Sequence, residues 1–192
     1  MVSADRAGRE ESRARIARAL RQGVPVQPVR RSLLERIAPS ASPQGWLAAC
    51  RFPEGEGEPM RLIRPAGERL LLLCWEVQDP GNLGSIVRSA AAFGADGLVA
   101  AGGADPFGPR AVRAAAGAVH RLPIARAEPS AELIGAILES GYRLVAAAAH
   151  GGEPADPEAL RGRTALVLGA ETAGLPPEVL DRARAVTIPT TG

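Results

Sequence analysis

From Arg69 onward, short apolar runs alternate with helical stretches, and this rhythm constrains the fold more than any other feature of the chain. Residues 70–75, 98–101, 122–125, 142–148, 164–168 and 185–188 read as strands. Residues 84–93, 110–116, 131–140 and 177–184 read as helices between or beside them. Strands that are apolar almost throughout, joined by helices, belong in a parallel sheet covered on both faces. The expected fold class is therefore α/β, a mostly parallel sheet with helices on both sides. No solenoid-like repeat is visible.

The first 52 residues have a different character. Residues 9–21 lack helix breakers and place Ile16 and Leu20 on one face, with Gly23 as the stop. Residues 24–29 are Pro-punctuated and extended, 32–37 read as a short helix, and 45–52 as a strand. These pieces, residues 1–52, are expected to be part of a small N-terminal domain. Residues 53–68, rich in Gly, Glu and Pro, are expected to be a linker. Residues 69–192 form the main domain.

Charge separates the same regions. The net charge is only +2, but residues 1–40 hold nine arginines against four acids. The remainder holds fourteen against seventeen. The N-terminal part is thus the better candidate for meeting phosphate. All 23 basic residues are Arg, whose planar fork can bind two oxygens at once, although a GC-rich genome would give the same bias.

Several functions are disfavoured. Cys50 and Cys74 lie in apolar runs and read as reduced core residues of an intracellular protein. His120 and His150 stand apart from any Cys/His cluster, so no metal site is expected, and both read as structural or exposed. The longest strongly apolar run, 70–75, is too short to span a bilayer, and the N-terminus lacks an apolar signal core. A cytoplasmic protein without membrane contact is expected.

Ligands of parallel sheets bind beyond the carboxyl ends of the strands. Two such loops stand out. In Glu76-Val77-Gln78-Asp79-Pro80-Gly81-Asn82-Leu83-Gly84-Ser85-Ile86-Val87-Arg88, Gly81 and Gly84 bracket Asn82 in an expected tight turn before a helix. Arg88, four residues past Gly84, falls in that helix's first turns. In Leu166-Val167-Leu168-Gly169-Ala170-Glu171-Thr172-Ala173-Gly174-Leu175-Pro176-Pro177, Gly169 is expected to let a ligand approach the backbone, and Glu171 is a lone loop carboxylate. An ordinary strand–helix turn with a solvent-facing Arg, or an acid favouring a helix dipole, would look the same in isolation. Neither segment is a Walker loop, a dinucleotide fingerprint or a nucleophile elbow.

Taken together, the two segments are more specific. Asn82 to Arg88 resembles the first motif of the SpoU/TrmH family of RNA ribose 2′-O-methyltransferases, within the SPOUT superfamily. Leu168 to Leu175 resembles the second. The resemblance covers residues 69–192. The stretches Gly23-Val24-Pro25-Val26 and Ser42-Pro43-Gln44-Gly45 also look like the tail of the family's small RNA-binding domain. The resemblance implies a knotted α/β domain, a rare exception to the rule against knots. It also implies a homodimer, S-adenosylmethionine as cofactor, and a ribose 2′-OH of rRNA or tRNA as acceptor. Arg88 would be the catalytic arginine, Asn82 would support the first-motif loop, and Glu171 would position the RNA. Leu168, Gly169, Ile188 and Pro189 would line the adenosine pocket through backbone atoms. Arg88 would act either as general base or as a cation that holds phosphate and stabilises the developing oxyanion, and the sequence leaves both open. The family's third motif, a Ser-Leu-Asn run after the Ile188-Pro189 strand, does not follow, and truncation before the knot-closing element is expected. A non-catalytic RNA-binding relative and an unrelated nucleotide-binding α/β protein are the rival readings.

Overall fold

The computed structural model describes residues 1–40, 42–51, 58–64 and 66–188. The chain divides into two compact units, Met1–Phe52 and Pro53–Gly192.

In the first unit, β1 (Val2–Ser3) pairs in parallel with β2 (Pro28–Val29). Helices α1 (Ala4–Ala7), α2 (Glu10–Arg21) and α3 (Arg31–Ile37) complete it. Val2, Val29 and Leu34 form its small core. Helix α2 ends where Gly23 turns left-handed at φ 74°. Its inward side differs from expectation. Ser12 is buried and Ile16 half-buried, whereas Leu20 is 55% exposed. The strand expected over 45–52 does not form. Trp46 makes one antiparallel bridge to Val2, and Leu47 exchanges hydrogen bonds with Met1. Beyond Leu47 the chain makes no further backbone pairing among the described residues, and its apolar residues alone do not make a strand. Cys50 is accordingly exposed rather than a core residue. Phe52 lies outside the described residues.

The second unit is built on seven parallel strands in the order β5-β4-β3-β8-β6-β9-β7. They are β3 (Arg69–Trp75), β4 (Gly97–Ala101), β5 (Ile124–Ala127), β6 (Arg143–Ala147), β7 (Glu153–Pro154), β8 (Arg163–Leu168) and β9 (Ala183–Thr187). Period-two alternation sends side chains of β3 to opposite faces. Leu71, Leu73 and Trp75 pack with α4 (Pro59–Ile63), α7 (Ala131–Glu139) and α8 (Pro177–Leu180), through Ile63, Leu133, Ile134, Ile137 and Val179. Leu72 and Cys74 pack with α5 (Pro80–Ala92), through Leu83, Val87 and Ala90. Beyond α5 lies α6 (Pro109–Ala114), followed by a 3-10 turn at Ala118–His120. A second 3-10 turn spans Pro157–Leu160. Helices therefore cover both faces, as expected. No helix among the described residues is long and apolar enough to cross a membrane.

Among the boundaries that differ from the sequence expectation, three have a clear local reason. Strand β5 starts at Ile124, because Pro123 lacks an N–H and offers only its carbonyl, which accepts from Leu98 N at 3.0 Å. The expected helix over 177–184 stops at Leu180. Arg184 instead pairs with Val145 in β9 and donates to Glu153 Oε2 at 2.7 and 3.0 Å, which fastens the short edge strand β7. The third concerns the expected linker over 53–68. Its residues 59–63 form α4, and Ile63 is fully buried in the core.

Arg163 holds that helix in place. Its Nη2 donates to Ile63 O at 2.7 Å, and its guanidinium carbon sits 4.3 Å from the Tyr142 ring centroid. Charged hydrogen bonds and cation–π contacts are among the stronger single interactions available. Arg163→Met keeps the apolar stem and loses both. It is expected to lower unfolding stability by about 2 kcal/mol, read as a lower urea midpoint with an unchanged slope.

Candidate functional site

Strands β3 and β8 are neighbours at the centre of the sheet, with Cys74 opposite Leu168. From β3 the chain crosses to β4 on one side, and from β8 it leads to β9 on the other. Their carboxyl ends therefore lie at a switch point, where loops diverge and a ligand crevice is expected. Both motif segments emerge here.

The β3 exit is braced from below. Glu76 adopts φ 51°, a left-handed conformation uncommon for a side-chain-bearing residue. Its N–H donates to Ala101 O at 2.8 Å, and Ala104 N donates to Val77 O at 2.9 Å. Gly103 allows this, since a Cβ there would stand 2.4 Å from Val77 O.

Asp79 then caps α5. Its Oδ1 accepts from Asn82 N at 2.9 Å, and its Oδ2 lies 3.2 Å from Arg110 Nη2. A Cβ at Gly81 would approach that capping oxygen to 2.8 Å. The helix thus begins at Pro80, not after Gly84, so Asn82 lies inside its first turn. The sequence carried the signal in Asp79-Pro80, an N-cap followed by proline at the first helical position. Gly84 is no turn residue either. A Cβ there would meet Ala111 O at 2.3 Å and the Ala114 methyl at 2.7 Å, so this glycine lets α5 and α6 touch.

The Asn82 side-chain amide donates to Glu171 Oε1, joining the two motif segments across 89 residues of chain. Leu168 is half-buried at the end of β8. Gly169 is packed against its own loop, because a Cβ would stand 2.6 Å from Gly174 C and O. It permits a close approach of the chain to itself. Gly174 N closes the loop onto Ala170 O at 2.8 Å. On the far side of β6, Ile188 follows β9 with 74% of its surface exposed, while Gly152 N donates to Thr187 Oγ1 at 3.0 Å. Pro189 lies outside the described residues. Arg88 is six residues beyond Asn82, about 9 Å along the helix axis. It is exposed, with no hydrogen-bond or ion-pair partner among the described residues. It stands in the third turn of α5. The structure therefore brings Asn82, Glu171, Leu168 and Gly169 together, and leaves Arg88 and Ile188 on flanking positions.

Other chemistry finds little support. Burial pushes the Cys74 thiol up to about 12, which removes it as a nucleophile. His120 and His150 are exposed. Among the described residues, no three His, Cys, Asp or Glu side chains gather in a metal-ligand arrangement. An apolar cavity of about 390 Å³ lies beside α5, lined by Leu70, Ile86, Phe93, Leu160 and Leu166 among others.

Comparison with known proteins decides the family. Residues 69–192 match the model of the SpoU rRNA methylase family. The chain belongs to that family. An uncharacterized tRNA/rRNA methyltransferase of Mycobacterium bovis is 36% identical over 158 residues, 80% of this chain and 54% of that protein. The 23S rRNA (guanosine(2553)-2′-O)-methyltransferase RlmP of Bacillus subtilis is 29% identical over 170 residues, 88% of this chain and 64% of RlmP. The chain thus spans a little over half the length of these relatives. The SpoU methyltransferase AviRb of Streptomyces viridochromogenes, solved with S-adenosylmethionine bound, superposes with a TM-score of 0.79 at 28% identity. That match covers 100% of this chain and 72% of AviRb. The SpoU fold is thereby established for the parallel sheet described above.

Proposed function

We propose that this chain transfers a methyl group from S-adenosylmethionine to a ribose 2′-OH of structured rRNA or tRNA. The observation that supports this most directly is the Asn82–Glu171 hydrogen bond, which joins the two motif loops at the switch point. RlmP carries a 2′-O activity in its name, and AviRb was solved with the methyl donor.

The residues present fit the cofactor. Leu168 and Ile188 offer apolar surface at the carboxyl ends of β8 and β9. Gly151 and Gly174 are both left-handed, and a Cβ at either would point into open space, so the backbone there is accessible to a flat adenosyl group. Leu168, Gly169, Ile188 and Pro189 are proposed to hold that group. S-adenosylmethionine, when bound, supplies an electrophilic methyl carbon with a good leaving group attached. What remains for the protein is alignment, together with help at one oxygen. Asn82 and Glu171 fix the geometry of the crevice, and a Glu171 oxygen not engaged by Asn82 is available to a ribose hydroxyl. The guanidinium cation of Arg88 stabilises the negative charge that develops on the ribose oxygen.

Capture of RNA is assigned to the first unit. Ser12 and Ile16 mark the inward side of α2, while Arg13, Arg15, Arg18 and Arg21 are all exposed. Such a face supplies sequence-independent, salt-sensitive attraction to phosphate. A homodimer is proposed as the working assembly.

The test is calorimetric titration of S-adenosylmethionine into the chain, followed by transfer of labelled methyl to unmodified rRNA and tRNA. Saturable binding at sub-millimolar ligand and recovery of 2′-O-methylated nucleosides are expected. RNA binding without any cofactor binding would instead favour a non-catalytic relative.

A further inference from the structure

The two closely packed helices α5 and α6 carry three exposed arginines that the two motifs do not account for as a group. Gly84 faces α6, and Arg88 lies four residues on, so it stands over the same flank of α5. On α6 the Ala114 methyl faces Gly84, and Arg110 lies four residues before it on the matching flank. Arg113, three residues past Arg110, is its neighbour on the helix surface. All three side chains reach solvent, and that of Arg110 is 73% exposed. Asp79 answers one of the three charges, through its 3.2 Å contact with Arg110. Arg88 and Arg113 have no partner among the described residues. Exposed guanidiniums without a carboxylate partner attract anions, and their planar forks match phosphate oxygens. The same Asp79 whose Oδ2 meets Arg110 caps α5 through Asn82 N, so this row of charge begins at the motif crevice.

We propose that Arg110 and Arg113 form, with Arg88, a phosphate track along the α5–α6 flank that holds the RNA backbone adjoining the modified nucleotide. This rests on the RNA methyltransferase reading above. The track is distinct from the arginine face of α2. It orients the strand at the reacting ribose, whereas the α2 face adds general attraction.

The experiment is fluorescence anisotropy of a fluorescein-labelled unmodified RNA hairpin, titrated with the full chain across a series of salt concentrations. Each phosphate contact contributes about 0.7–0.9 to the slope of log affinity against log salt. Arg113→Ala, which disturbs no partner among the described residues, is expected to flatten the slope by about one such contact. Arg110→Ala/Arg113→Ala is expected to flatten it by about two, and Arg110→Lys/Arg113→Lys to restore most of it. Parental slope and affinity in both alanine variants would overturn the track. So would an effect of Arg110→Ala with none from Arg113→Ala, since that assigns Arg110 to the α5 cap alone. A parent chain that binds S-adenosylmethionine but not the hairpin overturns the track and spares the cofactor site. A parent chain that binds neither overturns the function proposed above, and the track with it.

Discussion

Gly84→Ala is expected to destabilise the protein by about 2–3 kcal/mol, although the same change on an open helix surface would stabilise it. Alanine is favoured over glycine inside a helix by about 1 kcal/mol, because glycine loses more backbone freedom on folding. Here that gain is outweighed. The new Cβ would lie 2.3 Å from Ala111 O, a backbone atom held within α6, and 2.7 Å from the Ala114 methyl. Neither neighbour is the loose end of a flexible side chain, so the helices must separate. Separation would open the packing around Leu83, Val87 and Ala115, and would move Arg110 away from Asp79. Calorimetric melting should show a loss of about 5–10 °C for a chain of this size. A neutral or higher melting temperature would mean that the two helices are not in contact through this residue.

How much of this was legible in the chain depends on where each constraint comes from. Strand β3 was readable because Leu71, Leu72, Leu73 and Cys74 are buried on both faces of a covered sheet, which leaves an unbroken apolar run. Helix α4 was not readable. It has five residues, too few to stand on propensity, and it exists because Ile63 reaches the core and Arg163 grips its last carbonyl. The strand expected over 45–52 fails for the converse reason, a suitable composition whose residues past Leu47 find no backbone partner among the described residues. At the site, the motif residues Asn82 and Glu171 were both singled out from the sequence. That they touch depends on the strand order, which puts β8 beside β3 after a long excursion. The glycines of this segment suggest a turn up to Gly84, whereas Asp79-Pro80 marks the helix cap and α5 starts at Pro80. Arg110 was visible only as the first charge of a helix. Its relation to the site rests on the contact at Gly84, and a contact between helices is not written in either helix alone.

Arg88→Ala is expected to lower the rate of methyl transfer by about 10²–10³-fold while leaving the melting temperature unchanged. The side chain is exposed and has no partner among the described residues, so its removal costs the fold little. A preorganised cation facing a developing oxyanion is worth a few kcal/mol, and that range sets the expected rate loss. The conservative variant then separates the two roles open to this residue. If Arg88 supplies positive charge, Arg88→Lys keeps part of the rate, and the rate of the parent protein stays flat with pH wherever the rest of the site does not titrate. If Arg88 removed the ribose proton, it would need to be neutral in the reacting form. The rate would then rise tenfold per pH unit across the accessible range, and lysine, which loses its proton more readily, would move that rise to lower pH. Single-turnover rates of the parent and Arg88→Lys proteins against pH decide between them. A flat profile is expected of a residue that acts through its charge and takes up no proton in the reaction.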